Sequence, residues 1–437
     1  MSQHCGAGQY APLAGVRRIA VLRPNAVGDF VFALPALHAL RQAYPGAELV
    51  LLGQAWHAGF LAGRPGPVDR VVVVPPLPGI GLPADAPDDG AAAAFIAAMR
   101  GEGFDIACQM YGGGRFSNPL VSAFGARLTV GARAGDAPPL DRWVRYGEPA
   151  NRRLALLEIA ALAGAGTLTF GPELLLTEAD RRAAAQVLPA RATACPDGPG
   201  GRAEHGERSK SSERSEADER GEAGKGSETG ECRDAGERGE TGKRSETNES
   251  NESSERNESS ERNERGERLV VLQPGSSDPR RCWPARSFAQ VGDALAGKGM
   301  RVAVNGTTGE APLVRAVIEA MTAPAVDLSG KLGLGGLCGL LARADLVVSN
   351  DTGPLHLALA LGRPCVGIFW LTNLVDGTPL RQGLLHAALS VRVDCPVCGM
   401  PNLERRCAHD ASFVADVPAG RVIELAARAL EGAPASA

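Results

Sequence analysis

Asp351-Thr352-Gly353 stands between an apolar run, residues 346–349, and a second apolar run, residues 355–361, that opens with Pro354. The order reads as strand, turn, helix, with proline at a position that suits the first helical turn. The turn therefore lies at the C-terminal end of a strand and the N-terminal end of a helix. N–H groups there lack intrahelical acceptors and attract anions, and this edge of an open α/β sheet is where ligands collect. By position alone Asp351 is a helix cap, and so is Asp29, which closes the loop 23–29 after the first apolar strand. Glu310 ends the loop 306–310 as a first-turn helix glutamate. Ser276 and Ser277 read as turn serines and Arg281 as a surface cation beside Arg280, while His356 falls in the first helical turn after Gly353. Cys395-x2-Cys398-x8-Cys407-x-His409 offers three thiols and an imidazole, a donor set suited to tetrahedral zinc, with buried free thiols as the alternative.

The longer string over residues 351–362, D-T-G-P-x-H-L-A-x-A-L-G, resembles the signature of glycosyltransferase family 9, the bacterial heptosyltransferases of lipopolysaccharide core synthesis. That resemblance implies the α/β GT-B class, with two facing Rossmann-like doubly wound domains and a deep cleft between them. It implies an inverting transfer that needs no cofactor, from ADP-heptose to the growing inner core. Asp29 matches the family's N-terminal G-D acid and becomes the catalytic base. Arg281, two residues before Trp283-Pro284 where relatives often carry lysine, becomes a diphosphate ligand. Ser276 and Ser277 match hydroxyls that contact phosphate, and Glu310 an acid that touches the nucleoside. Asp351 matches the acid that holds sugar hydroxyls, with Thr352 and Gly353 offering N–H groups to phosphate. His356 is as well read as a structural hydrogen-bond partner as a donor-site residue. The implied partners are the nucleotide-sugar donor and a lipid-anchored oligosaccharide, met at the inner face of the cytoplasmic membrane by a cytoplasmic monomer with peripheral membrane contact. Rival readings are a non-catalytic nucleotide-sugar-binding relative whose insert serves a partner, a transferase for another nucleotide sugar, and a nicotinamide-dependent enzyme.

Two absences bear on these rivals. There is no G-x-G-x-x-G between the first strand and its helix, which argues against a dinucleotide oxidoreductase. No Asp-x-Asp pair is present to hold a divalent metal on a sugar diphosphate. The 437 residues suffice for two full cores, and the net charge of −4 excludes a global basic surface for nucleic acid. No apolar run approaches the roughly 20 residues of a membrane span, and the N-terminus lacks a signal-peptide pattern.

The elements that must position these residues alternate between short apolar runs and amphipathic stretches, which implies parallel sheets covered on both faces. Strands are expected over 18–22, 48–52, 71–74, 105–110 and 128–131, then over 269–273, 301–305, 346–349 and 365–369. Helices fall between them, and Pro35 is expected in a first turn or at a kink. The run at 112–114 is expected as a mobile glycine loop, and the chain after Trp370 as irregular up to a last helix at 418–430. This divides the chain into a loose leader (1–16), an N-terminal acceptor domain (17–190), a low-complexity insert (191–268), a nucleotide-sugar domain (269–417) and a C-terminal helix and tail (418–437). The insert is Glu, Arg, Ser, Gly and Asn almost without apolar side chains from residue 196 on. Such a composition cannot offset its ordering entropy and reads as a disordered tether.

Overall fold

Short runs of valine and leucine make strands where both faces can be buried, and here they do so twice. The computed structural model describes residues 10–87, 90–147, 150–189, 268–401 and 406–432. The first half contains β1 (Arg18–Leu22), β2 (Glu48–Gly53), β3 (Arg70–Val73), the short ladder of β4 (Leu77–Pro78) and β5 (Gly81–Leu82), β6 (Ile106–Gln109), β7 (Leu128–Arg133) and β8 (Arg142–Arg145). The second contains β9 (Leu269–Gln273), β10 (Arg301–Val304), β11 (Ala325–Asp327), β12 (Leu346–Asn350), β13 (Cys365–Trp370) and β14 (Leu385–Ser390). The two large sheets run β3-β2-β1-β6-β7-β8 and β11-β10-β9-β12-β13-β14. Every pairing in them is parallel. Counted by each sheet's own strands, both follow the doubly wound Rossmann order 3-2-1-4-5-6, whose direction reverses beside β1 and beside β9.

Helices cover both sheets, and two helix pairs join them. The Val27–Ala43 helix meets the Gly353–Ala360 helix end to end, so that a Cβ built on Gly353 would lie 3.4 Å from Val27 Cβ and 3.6 Å from Gly28 N. The Glu178–Val187 helix lies on the Leu334–Arg343 helix, where a Cβ on Gly339 would stand 2.1 Å from the Asp180 carbonyl oxygen. No residue larger than glycine fits that crossing. Asp180 also pairs with Arg64 at 2.7 Å, both nearly fully buried. Removing one partner of such a pair costs about 3–5 kcal/mol. One continuous apolar cluster runs from Val21, Phe30 and Leu37 to Val347, Leu355 and Phe369, so the halves share a core.

The expected strands and most helices appear within a residue or two of their bounds. Pro35 sits well inside the Val27–Ala43 helix and not in its first turn. The chain after Trp370 is not irregular. It forms a helix, Leu371–Gly377, and the edge strand β14, whose His-Ala-Ala centre and single neighbour give little sequence signal. The glycine run at 112–114 is tied down, since Ala134 N–H donates to the Gly113 carbonyl at 2.7 Å. The described part of the leader is also attached. Leu13 N–H donates to Tyr44 Oη at 2.8 Å, and the Arg142 guanidinium lies 4.0 Å above the Tyr10 ring. The low-complexity insert lies outside the described residues, apart from Arg268, whose carbonyl accepts from Arg301 N–H at 2.8 Å. Among the described residues no helix is long and apolar enough to cross a membrane.

Candidate functional site

The loops after β1, β9, β10 and β12 open into one cleft of about 800 Å³ between the two sheets. Its wall includes Asp29, Ser276, Ser277, Arg281, Glu310, Asp351, Thr352, Gly353 and His356, so every donor-site and catalytic candidate is brought together. The floor is the meeting of two helix N-termini at Gly28 and Gly353. Each points first-turn N–H groups and the positive end of its dipole at the same space.

Asp29 is the third residue of its helix and not its cap, which is Ala26. Its Oδ1 accepts from Arg23 Nη2 at 3.0 Å and lies 3.7 Å from Arg152 Nη1. Arg23 is buried and also donates to the Asp29 carbonyl, so the carboxylate is held from behind. Burial pushes the Arg23 guanidinium down to about 10 against the opposing pull of Asp29. Arg152 reaches on to Asp376 Oδ2 at 3.4 Å, linking the first half to the Leu371–Gly377 helix of the second.

Asp351 is different. Its carboxylate is nearly fully buried, with His356 Nε2 donating to Oδ1 at 3.0 Å and Asn373 Nδ2 to Oδ2 at 2.8 Å. Arg281 Nη1 adds bonds to the Asp351 carbonyl at 3.2 Å and to Oδ2 at 3.4 Å. Burial opposes the charge on Asp351, but the His356 hydrogen bond, with the charge of Arg281 and the Asn373 bond, outweighs it. The carboxyl is held below the usual carboxylate range. Burial lowers His356 despite its bond to Asp351, so the ring is neutral, with Nε2 protonated and Nδ1 buried without a partner. The ring packs edge-on to Phe32, centroids 4.6 Å apart.

The loop 274–284 is anchored beneath by Asn350. Its side chain accepts from Trp283 N–H at 3.1 Å and donates to the Pro274 carbonyl at 2.7 Å. Arg281 Nη2 reaches Ser277 Oγ at 3.5 Å, and Ser276 Oγ accepts from Asp278 N–H at 3.3 Å. Glu310 closes a capping box with Thr307, accepting from its N–H at 2.7 Å and its hydroxyl at 3.0 Å. The other Glu310 oxygen lies over Gly275, where a Cβ would collide with it at 1.8 Å. Three buried polar atoms on this wall, Arg281 Nε, Thr352 Oγ1 and His356 Nδ1, have no partner among the described residues, and the first two can donate. Unsatisfied donors of that kind cost free energy until a ligand accepts from them.

Sequence reading missed Arg23, Arg152, Asn350 and Asn373. Arg23 gave a faint signal as a charge at the end of a buried strand. Asn373 gave none, because its helix was not expected. The three cysteines and His409 also come together, away from the cleft wall.

The family model described as glycosyltransferase family 9 (heptosyltransferase) matches residues 239–394. Among curated proteins, lipooligosaccharide heptosyltransferase 2 of Haemophilus influenzae is 29% identical over 114 residues, 25% of this chain and 33% of its own length. Lipopolysaccharide heptosyltransferase 3 of Escherichia coli is 28% identical over 120 residues, 27% of this chain and 35% of its own length. The chain thus spans about a third of the length of the curated relatives it matches. Among solved structures, a glycosyl transferase family 9 protein from Veillonella parvula superposes with TM-score 0.61 at 16% identity, covering 95% of this chain and 98% of that one. E. coli ADP-heptose lps heptosyltransferase II gives 0.58 at 17% identity, with the same coverage. At these identities the likeness is one of fold.

Proposed function

We propose that the chain, which has the GT-B fold, is a member of glycosyltransferase family 9 and transfers heptose from ADP-heptose to the inner core of lipopolysaccharide. The observation that carries the reading is the cleft floor. Two helix N-termini and the buried orphan donors Arg281 Nε and Thr352 Oγ1 converge on space sized for a nucleotide sugar. That is the electrostatics a departing nucleoside diphosphate requires.

The geometry supports the following roles. Asp29 takes the proton of the acceptor hydroxyl as that oxygen bonds to the anomeric carbon and the bond to the diphosphate breaks. Attack from the face opposite the leaving group inverts the configuration. Negative charge on the departing ADP is met by Arg281, the Ser276 and Ser277 hydroxyls, and the Thr352–Gly353 helix end. Asp351 fixes Arg281, Asn373 and His356 through these bonds and, lining the cleft with acceptor capacity to spare, holds sugar hydroxyls of the donor. His356 is a positioning residue. Glu310, locked in its capping box, presents only the outer oxygen to the nucleoside. No divalent metal takes part in the transfer. The lipid anchor of the acceptor brings the chain, a cytoplasmic monomer, to the inner membrane face without a span.

The test is turnover of ADP-heptose on a heptose-acceptor core oligosaccharide, with EDTA present. Release of ADP at an undiminished rate supports the reading. Donor binding without turnover makes the chain a binding relative, and activity restored only by Mg²⁺ or Mn²⁺ refutes metal independence.

A further inference from the structure

We propose that Cys395, Cys398, Cys407 and His409 form a tetrahedral site for a structural divalent transition metal of the zinc class, outside the transfer cleft. Each residue offers one donor atom, and the four atoms all lie within 4.8 Å of one another. With Zn–S bonds of about 2.3 Å, a tetrahedron places its sulfurs about 3.8 Å apart. The four groups therefore need only close slightly around an ion.

The backbone at the first two ligands is built for this. Cys395-Pro396-Val397-Cys398-Gly399 folds as a tight knuckle in which Val397 N–H points at Cys395 Sγ at 3.4 Å. Gly399 N–H donates to the Cys395 carbonyl at 2.9 Å, and Cys395 N–H to the Met400 carbonyl at 2.9 Å. An antiparallel bridge between Asp394 and Pro401 closes its base. Gly399 has φ +68°, a left-handed conformation that glycine adopts without strain. The knuckle turns both thiols to one side, and an N–H aimed at sulfur stabilises a thiolate ligand. Facing it, Cys407 is buried, and His409 Nδ1 is a buried ring nitrogen without a hydrogen-bond partner among the described residues.

The site has a structural task. The described residues of 391–401 and 406–417 are poor in regular structure, yet they support the loop that carries Arg281. Phe413 N–H donates to the Arg280 carbonyl at 2.8 Å, and Trp283 Nε1 to the Val417 carbonyl at 2.9 Å. Trp370, on the cleft wall, donates through Nε1 to the Arg392 carbonyl at 2.6 Å and packs tilted against Phe413, centroids 4.4 Å apart. Cys395 and Cys407 belong to this same buried cluster. A metal here would staple the segment as a short cross-link, contributing folding free energy that the few apolar contacts do not.

The full chain, purified without chelators or a histidine tag, is assayed by elemental analysis and then titrated with Co²⁺ under reducing conditions. The expected result is stoichiometric zinc, and cobalt–thiolate absorption that zinc displaces. Cys398→Ser, which alters the exposed ligand, should lower metal content and cobalt absorption while far-UV circular dichroism stays unchanged. A chain that stays metal-free after reconstitution with Zn²⁺, or whose fresh preparations hold a disulfide among these cysteines, overturns the proposal. So does a Cys398→Ser protein that binds cobalt like the parent. These readouts do not depend on turnover, so they stand or fall apart from the transferase reading.

Discussion

Two aspartates occupy comparable places in the two sheets, each at a helix N-terminus beside the point where strand order reverses. Asp29 keeps about a quarter of its side chain exposed, and two arginines share its Oδ1. Asp351 is nearly fully buried, and three partners take both of its oxygens. The same residue type, inside the first helical turn in one sheet and just before the cap Thr352 in the other, is thus offered to solvent on one wall and engaged in a hydrogen-bond network on the other. A carboxylate that must accept a proton from a substrate has to be reachable. One that must hold an arginine in place works better buried, where its bonds are stronger and water does not compete. The difference separates reagent from scaffold.

Four experiments break or sharpen that contrast, beginning with the largest effect. Asp29→Asn keeps an oxygen for Arg23 but cannot take a proton. Its kcat should fall by about 10²–10⁴-fold, the usual contribution of a general base, with donor affinity and melting temperature near those of the parent. Near-normal kcat at saturating acceptor would move the base elsewhere. Asp351→Ala should do the reverse in kind. It removes the carboxylate to which Arg281, Asn373 and His356 donate, costing about 1–3 kcal/mol of stability and weakening ADP binding in calorimetry. Unchanged stability would mean that the network is decorative.

Acid dependence should also follow the buried pair. The Asp351 and His356 values are both lowered in the fold, so each contributes stability that is present at neutral pH and lost on acidification. Below about 6.5 the unfolded chain takes up a proton that folded His356 refuses, and below about 4 the same holds for Asp351. Urea midpoints should therefore fall as the pH drops from neutral. His356→Gln should shrink that slope without abolishing it, because His57, which burial pushes down to about 4, acts over the same range. A slope unchanged in His356→Gln would mean that folding leaves the titration of the ring unaltered, contrary to its burial. The smallest effect is expected from replacing residues 196–266 with a short Gly/Ser linker, keeping Arg268 for its bond to Arg301. Melting temperature and donor affinity should stay close to those of the parent, and a large loss in either would show that the cores depend on this segment.

Much of the architecture was readable along the chain because its signals are local. Runs such as Leu269-Val-Val-Leu-Gln273 are buried on both faces and need no partner information to be recognised. Residues 351–362 carry their motif within a single strand–turn–helix. Elements whose stability comes from neighbours were not readable. Arg142–Arg145 and Leu385–Ser390 are edge strands with charged or alanine-rich faces, and Leu371–Gly377 mixes Thr, Asn and Asp into one short helix.

By itself the sequence determined that there are two doubly wound halves, that their strand ends carry Asp29, Arg281 and Asp351, and that three cysteines and a histidine cluster near the C-terminus. Only the tertiary structure decided which aspartate is reachable, which arginines tether it, and that Gly28 meets Gly353 so that two helix dipoles face one space. The reason is range. Strand and helix preferences are set by residues a few positions apart, whereas a carboxylate's exposure and hydrogen-bond partners are set by groups such as Arg152, Asn373 and Asp376 that lie far along the chain and meet it only once the sheets have packed.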